Sequence, residues 1–369
     1  MGIEAKLLDL VQEKFGKLSE AEIKLFTAVA NGEEADYRSG NKELDDVEKA
    51  DKWGDGRALK AEKIKWLCTN KSASEFITHS GVVAWGVCVE GELYLQFAEM
   101  GFLLAFFECS FDETIYLQYA QIRVLHLGGT HTGRIEADSL DVKGSVFLSN
   151  GFKAKSGVRL GSATIGGNLE CDNGEFIKPR ESIDPDGRAL FADGINVKGD
   201  VFLRNGFKAE GEVRLPGANI GGTLDCKEGE FINPGGCALF ADGINVKSTV
   251  LLRGGFKAKG EVRLPSATIG GNLDCSNGPK KETKGGEFIN PEGRTLFADG
   301  LNVKGSVFLI NGFKAEGKIC LESAIINNNF VYTGVESPEK AILSLRSAKI
   351  GVLWDQKESW PKKGNLYLH

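Results

Sequence analysis

The chain has 369 residues, of which 41% are hydrophobic and 26% are charged, so its length and composition allow a buried core and exclude a disordered protein. The formal net charge of −6 argues against a strongly basic surface of the kind that binds duplex DNA. The 48 glycines are well above the average share of about 7%, and with only 9 prolines and no Gly-X-Y period they exclude collagen.

The sequence contains no recognisable targeting or membrane-spanning segment. Its beginning lacks the basic start, the apolar run and the cleavage site of a signal peptide. The longest apolar run, residues 101–107, is much shorter than the roughly 18 residues that a membrane-spanning helix requires. These features predict a cytoplasmic protein with no transmembrane segment in this chain.

Two helices are predicted at the start of the chain. Apolar residues recur at helical spacing over residues 3–15 and again over residues 19–30. Ser19 followed by Glu22 is a capping-box signature, in which each side chain bonds the backbone N–H of the other residue. The second helix is therefore expected to begin directly after Ser19.

A polar loop and a third helix complete the predicted N-terminal module. Residues 31–56 are polar and lack a regular apolar period, which indicates a loop. Residues 58–69 have helical spacing, with Leu59, Ile64 and Leu67 as the expected buried stripe. We predict that residues 1–80 form an α-helical cap over the open first coil of the repeats that follow.

Repeats dominate the rest of the chain and are strongest over residues 137–332. The run ADGINVKGDVFL at residues 192–203 recurs at 241–252 and 298–309, with an earlier copy at 137–148. Each copy is followed by Gly-Phe-Lys-Ala, and three of them next by Ala-x-Ile-Gly-Gly-x-Leu-x-Cys. Successive copies are 49, 55 or 57 residues apart, which is typical of a solenoid frame with loops of variable length.

Within each repeat, apolar and polar residues alternate, which indicates half-buried strands. Four strand-sized units in the shortest repeat predict two coils of about 24 residues each. We therefore predict an all-β solenoid over residues 81–369, a right-handed parallel β-helix of about 12 coils with glycines supplying positive φ at its corners. The dipeptides Asn205-Gly206 and Asn311-Gly312 leave two-residue β-hairpins open as an alternative.

The alternation also predicts which side chains face the core and which face solvent. The residues expected to be buried are Val201, Leu203, Val213, Leu215, Ile220 and Leu224. The alternating positions Lys198, Lys208 and Arg214 are expected to be exposed. This assignment fixes the register of the strands, because a shift by one residue would exchange the two sets.

The eight cysteines show neither a CxxC motif nor the spacing of a zinc site. Cys171, Cys226 and Cys275 occupy one repeated inward position and are expected to lie two coils apart, a separation of about 9.6 Å. A disulfide requires Cα atoms within about 7 Å. The sequence therefore predicts small buried thiols at these positions and no disulfide bonds.

The motifs of catalysis and cofactor binding are missing from the sequence. It contains no G-x-G-x-x-G between a strand and a helix and no phosphate-binding loop. His126 and His131 leave two interpretations, a ligand or acid–base pair or solvated side chains near a corner, and the second is favoured. We assign no catalytic, cofactor-binding or metal-binding residue, and we predict that the protein is not an enzyme and needs no cofactor.

Cationic residues recur at equivalent outward positions and form three ladders. The ladders consist of Lys143, Lys198, Lys247 and Lys304, of Lys153, Lys208, Lys257 and Lys314, and of Arg159, Arg214 and Arg263. Stacked cations suit phosphate groups or an anionic membrane. Glutamates such as Glu210, Glu212, Glu261 and Glu316 interleave with them, so a mixed wall of ion pairs is the favoured interpretation.

Two charged insertions interrupt the repeat frame, at residues 178–187 and 276–286. They are interpreted either as neutral length variation or as loops that dock a partner or admit a protease. The candidate interaction residues in these insertions are Lys178, Arg180, Glu181, Lys280, Lys281 and Lys284.

The end of the chain is similar to the start of another coil. The sequence of residues 364–369, GNLYLH, is close to GELYL at residues 91–95. We therefore expect a longer protein and an apolar edge that meets either its remainder or a second copy. The candidate residues for that contact are Trp354, Trp360, Leu366 and Leu368.

The repeat run ADGINVKGDVFLRNGFKAEGEVRLPGANIGGTLDC resembles a bacterial β-helix repeat family that is distantly like the pentapeptide-repeat proteins. The segments LSEAEIKLFTAVANGEEAD and WGDGRALKAEKIKWLCTN are similar to the N-terminal module of that family, so the resemblance covers most of the chain. Its members are often labelled "membrane-associated oxidoreductase" and typically continue further. The resemblance implies the fold and carries over no catalytic residue.

The sequence favours a non-enzymatic protein-interaction scaffold, the N-terminal part of a longer bacterial protein, whose partner is another protein or the remainder of the same one. Three alternatives stay open. One is a regulatory or antiviral-defence protein, for example a CRISPR-associated one, controlled by a partner protease. Another is a component of a membrane-associated oxidoreductase, which flavin or nicotinamide absorbance would reveal. The third is a DNA mimic that binds a topoisomerase, which gyrase inhibition would reveal.

Overall fold

A computed structural model describes residues 2–179, 187–278, 284–361 and 366–368. The chain divides into two compact units, Met1–Gly167 and Asn168–His369. Both units are built from coils of a parallel β-solenoid, and the chain makes about 12 turns of roughly 23 residues each. The predicted fold class is confirmed. Within the described ranges, none of the helices has the length and apolarity needed to cross a membrane.

The α-helices that the structure describes lie in the first unit. They are α1 (Ile3–Phe15), α2 (Glu20–Asn31), α3 (Ala61–Thr69) and α4 (Lys71–Ser74). The predicted capping box is present at the start of α2: the Glu22 amide donates to the Ser19 hydroxyl at 3.2 Å, and the Ser19 amide donates to the Glu22 carboxylate at 2.9 Å. Short 3₁₀ turns occupy Val47–Lys52 and Asp55–Arg57 in this unit, and Pro338–Lys340 and Lys357–Ser359 in the other.

The third helix begins later than predicted. Residues Ala58–Lys60 form a strand that pairs in parallel with Cys88–Glu90, so tertiary pairing overrides the helical spacing in this segment. Leu59, Ile64 and Leu67 are nevertheless all buried, as expected. The predicted loop before this strand also contains a short strand, Ala35–Asp36.

Sixteen strands of the described residues belong to the first unit. They are β1 (Ala35–Asp36), β2 (Ala58–Lys60), β3 (Val82–Trp85), β4 (Cys88–Glu90), β5 (Leu93–Tyr94), β6 (Glu99–Phe107), β7 (Ser110–Phe111), β8 (Ile115–Tyr116), β9 (Gln121–His126), β10 (His131–Thr132), β11 (Ile135–Glu136), β12 (Asp141–Val142), β13 (Val146–Phe147), β14 (Lys153–Ala154), β15 (Val158–Arg159) and β16 (Thr164–Ile165).

The described strands of the second unit continue the same pattern. They are β17 (Leu169–Glu170), β18 (Glu175–Ile177), β19 (Arg188–Phe191), β20 (Asn196–Val197), β21 (Val201–Phe202), β22 (Lys208–Glu210), β23 (Glu212–Arg214), β24 (Asn219–Ile220), β25 (Leu224–Asp225), β26 (Glu230–Phe240), β27 (Asn245–Val246), β28 (Val250–Leu251), β29 (Lys257–Arg263), β30 (Thr268–Ile269), β31 (Leu273–Asp274), β32 (Glu287–Phe297), β33 (Asn302–Val303), β34 (Val307–Ile310), β35 (Lys314–Cys320), β36 (Ile325–Thr333), β37 (Ala341–Ser344), β38 (Lys349–Asp355) and β39 (Leu366–Tyr367).

Strands stack in parallel from one coil to the next. In the second unit Leu169 pairs with Val201, Val201 with Leu224, and Leu224 with Val250. The hairpin alternative is therefore wrong, because Asn205 and the glycine after it turn a corner between parallel strands, with φ of 53° at Asn205. Corners elsewhere also use serine and asparagine at positive φ, so the predicted dependence on glycine was too narrow.

The predicted core is confirmed. Val201, Leu203, Val213, Leu215, Ile220 and Leu224 are all buried, with no more than 1% of any of them exposed. Lys198 is exposed as expected. Lys208 and Arg214 are only half-exposed, because their outward side chains pack against those of neighbouring coils.

A stack of phenylalanines lies at the centre of the second unit. Successive ring centroids are 5.2 to 5.4 Å apart, and every ring is fully buried. The stack consists of Phe176, Phe207, Phe231, Phe256, Phe288 and Phe313. Each of these residues either directly precedes a strand or is its second residue, so each coil contributes one ring to a continuous core.

The cysteines follow the predicted arrangement. Cys171, Cys226 and Cys275 are fully buried, and the register places one intervening coil between successive members. All eight cysteines of the chain are free. Burial raises the thiol pKa well above its ordinary value at these three positions, so they act as small apolar core residues.

Candidate interaction surfaces

The predicted loop residues are only partly within the described structure. Arg180, Glu181, Lys280 and Lys281 lie outside the described residues. Lys178 is exposed, and its amide donates to the Glu210 carbonyl at 2.8 Å.

The remaining loop residue, Lys284, lines a polar cleft of about 460 Å³ in the second unit. Lys314 in the same cleft pairs with Glu287 at 2.9 Å, and Lys257 lies 3.9 Å from that carboxylate. The cleft therefore holds both signs of charge and does not select a strongly anionic or cationic ligand.

The predicted residues near the end of the second unit have different environments. Trp354 is 62% exposed on β38 and Leu368 is also exposed, whereas Leu366 is half-buried on β39. Trp360 packs its ring 5.2 Å from that of Tyr332, and its indole N–H donates to Asp355. Trp360 thus contributes to packing, and the exposed apolar surface is centred on Trp354.

Strand β38 presents an unusual apolar row. Val352 and Leu353 are 48% and 43% exposed beside Trp354. Leu353 pairs with Phe330 of β36, which is fully buried in the coil before. Strand β38 pairs with β36, and no other strand of the described residues lies against its second edge.

The arginine ladder in the second unit is not free to bind phosphate. Arg214 lies over Phe240 at 4.5 Å and also contacts the ring of Phe191 at 5.8 Å. Its guanidinium pairs with Asp193 at 2.7 Å. The carboxylate and the two rings therefore occupy the surfaces that an anionic ligand would need.

The same arrangement recurs one repeat later. Arg263 lies 4.9 Å from the ring of Phe240 and 5.0 Å from that of Phe297, and it pairs with Asp242. In the first unit, Arg159 pairs with Asp138 at 2.7 Å. The interpretation as a mixed wall of ion pairs is correct for these arginines.

One lysine ladder is also ion-paired. Lys153 pairs with Glu48 at 3.1 Å in the first unit, and Lys314 pairs with Glu316 at 2.9 Å in the second. The hydrogen bond from Lys208 to Glu210 raises the pKa of that lysine. These contacts agree with the favoured interpretation.

The other lysine ladder differs between its members. Lys143 pairs with Asp141 at 2.6 Å in the first unit. In the second unit Lys198, Lys247 and Lys304 are exposed and form no ion pair with any residue of the described ranges. Equivalent positions in the repeat therefore do not imply equivalent ion pairs. Whether the lysine is paired depends on the residue two positions before it, which is Asp141 before Lys143 and an asparagine before each of the other three lysines.

Neither histidine is a solvated corner residue, so that interpretation is wrong. His126 packs between two rings, tilted against Phe107 at 4.4 Å and stacked on Phe147 at 4.5 Å, and burial lowers its pKa to about 4. His131 is buried, and its Nδ1 lies 3.9 Å from the Glu48 carboxylate. Among the described residues no group of three or more His, Cys, Asp or Glu side chains is placed to hold a metal ion.

A pair of exposed aromatic residues in the first unit was not predicted from the sequence. Phe97 and Tyr119 are 71% and 57% exposed, and their rings stack in parallel with centroids 5.2 Å apart. Beside them, Tyr94 and Tyr116 stack at 4.7 Å. Both pairs are separated by 22 residues, close to one coil, and this spacing was the signal available in the sequence.

No protein-family model matches the chain, and neither does any curated protein or solved structure. The structure itself shows a β-solenoid of repeating coils, which is the part of the family resemblance that it supports.

Proposed function

We propose that the protein is a non-enzymatic interaction scaffold that binds a second polypeptide through strand β38. The observation that carries the proposal is the apolar row of Val352, Leu353 and Trp354, exposed on a strand whose outer edge is unpaired in the described structure. Exposed apolar patches on a soluble protein mark interaction sites. An unpaired strand edge accepts an added strand through main-chain hydrogen bonds.

A β-strand is the occupant that satisfies both features at once. Its backbone supplies partners for the open N–H and C=O groups, while its side chains cover Leu353 and Trp354. A second copy of this chain supplies such a strand, because β38 pairing with itself in antiparallel orientation gives a closed twofold interface. The proposed partner is therefore a second copy of this chain, bound through β38.

The test compares the native chain with Trp354→Lys and with Ile325→Lys in light scattering over a range of protein concentrations. Ile325 is the matched control, since it is an exposed apolar residue on β36, one coil before the open edge. We expect a concentration-dependent dimer for the native chain and for Ile325→Lys, and a monomer for Trp354→Lys. A native chain that stays monomeric at the highest attainable concentration, or a dimer that survives Trp354→Lys, contradicts the proposal.

A further inference from the structure

The corner residues Phe97 and Tyr119 adopt a backbone conformation that suits neither of them. Their φ angles are 59° and 58°, in the left-handed region that bulky L-residues rarely enter. Each occupies the corner of a coil, where its amide donates to a carbonyl of the following coil, at Gln118 and Asp138 respectively.

Other coils show what this corner normally holds. Residues at equivalent corners, identified by the same hydrogen bond to the next coil, are small: Ser139, Gly194, Gly217, Gly243, Ser266, Gly300 and Ser323. Glycine adopts positive φ without a steric cost. The first unit therefore keeps two aromatic rings at a conformational cost, although most of each side chain remains in solvent.

The surrounding side chains hold this region in a defined arrangement. The hydroxyls of Tyr94 and Tyr116 both donate to the carboxylate of Glu92. The side-chain amides of Gln96 and Gln118 are hydrogen-bonded at 3.1 Å. We call Tyr94, Gln96, Phe97, Tyr116, Gln118 and Tyr119 the aromatic corner.

Several outward aromatic rings of the described residues are covered by arginine side chains. Arg38 lies 4.1 Å from the ring of Trp85, and Arg204 lies 3.8 Å from the ring of Phe202. By contrast, no cationic group of the described part of the chain covers Phe97 or Tyr119. Within the aromatic corner, Lys65 approaches Tyr94 at 5.7 Å.

We propose that the aromatic corner docks an arginine-bearing segment of another protein. A planar guanidinium stacks on an aromatic face more effectively than a lysine ammonium, and the exposed carboxylate of Glu99, two residues after Phe97, complements its charge. Nucleic acid is disfavoured, because the chain has a net charge of −6 and the Glu92 carboxylate is bonded by two tyrosines of this corner. Burial of the two rings by the partner offsets the conformational cost of their corner positions.

The experiment uses the full chain and two fluorescein-labelled probes of equal length and charge, one with arginines spaced by glycines and one with lysines in their place. Fluorescence anisotropy gives the dissociation constant of each. We expect the arginine peptide to bind the native chain more tightly than the lysine peptide does. The double variant Phe97→Ser with Tyr119→Ser is expected to weaken binding of the arginine peptide by about 10-fold, in line with loss of a desolvated cation–π contact. Ile325→Ser, a control at an exposed apolar residue outside the corner, leaves the affinity unchanged.

Thermal unfolding separates binding from a structural role. Because serine occupies the same corner in other coils, Phe97→Ser with Tyr119→Ser is expected to unfold at the same temperature as the native chain or higher. A lower unfolding temperature, equal affinity of the native and variant chains for the arginine peptide, or equal affinity for the two peptides overturns the proposal. Trp354→Lys, which tests the β38 interface, is expected to leave peptide affinity intact, so the two proposals fail independently.

Discussion

A Cβ atom placed on Gly221 would lie 2.1 Å from the carbonyl oxygen of Lys198 in the coil before. This distance is far below any van der Waals contact, and the glycine does not have a positive φ. The Ile-Gly-Gly motif therefore serves the close approach of stacked coils at a bend, and not a positive-φ conformation. Gly270 shows the same relationship with the Lys247 carbonyl one repeat later, also at 2.1 Å.

Gly221→Ala is expected to destabilise the second unit. The added methyl group must push the coils apart or distort the Lys198 peptide, an overpacking that costs about 1–3 kcal/mol or more. Urea unfolding followed by circular dichroism measures the change as a lower midpoint. Gly101→Ala is the matched control, because Gly101 has no heavy atom within 4 Å of the new methyl group and no positive φ. If Gly101→Ala lowers the urea midpoint as much as Gly221→Ala does, the close approach of the coils at Gly221 is not the cause of the destabilisation.

The sequence predicted the solenoid because its signal is local and repeated. Alternation of apolar and polar residues assigned Val201 and Leu224 to the core, and the spacing of Cys171 and Cys226 implied the correct number of intervening coils. Both inferences need only the period of a strand and the length of a repeat.

The candidate surfaces depend on contacts between coils that the strand period and the repeat length do not predict. The stacking of Arg214 on Phe240 requires the register of β23 on β26, in which these two residues are direct partners. The start of α3 at Ala61 depends on β2 pairing with β4, a contact between segments about 30 residues apart in the chain. The strained corner at Phe97 is visible only in the backbone angles.

Arg263 is expected to stabilise the second unit through the two rings and the carboxylate that surround it. Arg263→Lys keeps the charge but loses the planar stacking and the paired hydrogen bonds to Asp242, so we expect a loss of about 1 kcal/mol. A double-mutant cycle with Asp242→Asn in urea unfolding measures the coupling between the two residues.

The control for this cycle is Lys247→Met, an exposed lysine without an ion pair in the described structure, which is expected to change stability by less than about 0.5 kcal/mol. A coupling energy of zero between Arg263 and Asp242 would show that this ion pair does not contribute to the stability of the second unit.

The thiols are expected to be almost unreactive in the folded protein. Burial raises the pKa of Cys88 to about 12 and that of Cys237 to about 11, although both side chains are only half-buried. Since the thiolate is the reactive form, titration with a disulfide reagent near neutral pH should be slow for the folded chain and should count eight thiols after denaturation. A count below eight under non-reducing conditions, or a rapid reaction at Cys171, contradicts the core assignment.

The stability of the first unit is expected to fall as the pH is lowered, in part through His126. Its imidazole is neutral in the folded state, where its pKa is about 4, and the Gly128 amide donates to its Nδ1 at 3.1 Å. In the unfolded chain the pKa returns to about 6.5. Between these two values the unfolded state binds more protons, so the free energy of unfolding decreases from about pH 6.5 towards pH 4 and is unaffected by His126 above that range.

His126→Phe is expected to remove this contribution while preserving the packing against Phe107 and Phe147. The variant loses the hydrogen bond from Gly128, a cost that does not depend on pH, so the informative quantity is the slope of the unfolding midpoint against pH rather than its level. The carboxylates and His131 are present in both the native chain and the variant, so their contributions cancel when the two pH curves are compared. We expect the native curve to fall more steeply than the variant curve below about pH 6.5. Parallel curves across that range would mean that His126 is protonated as easily in the folded chain as in the unfolded one, against its burial between two aromatic rings.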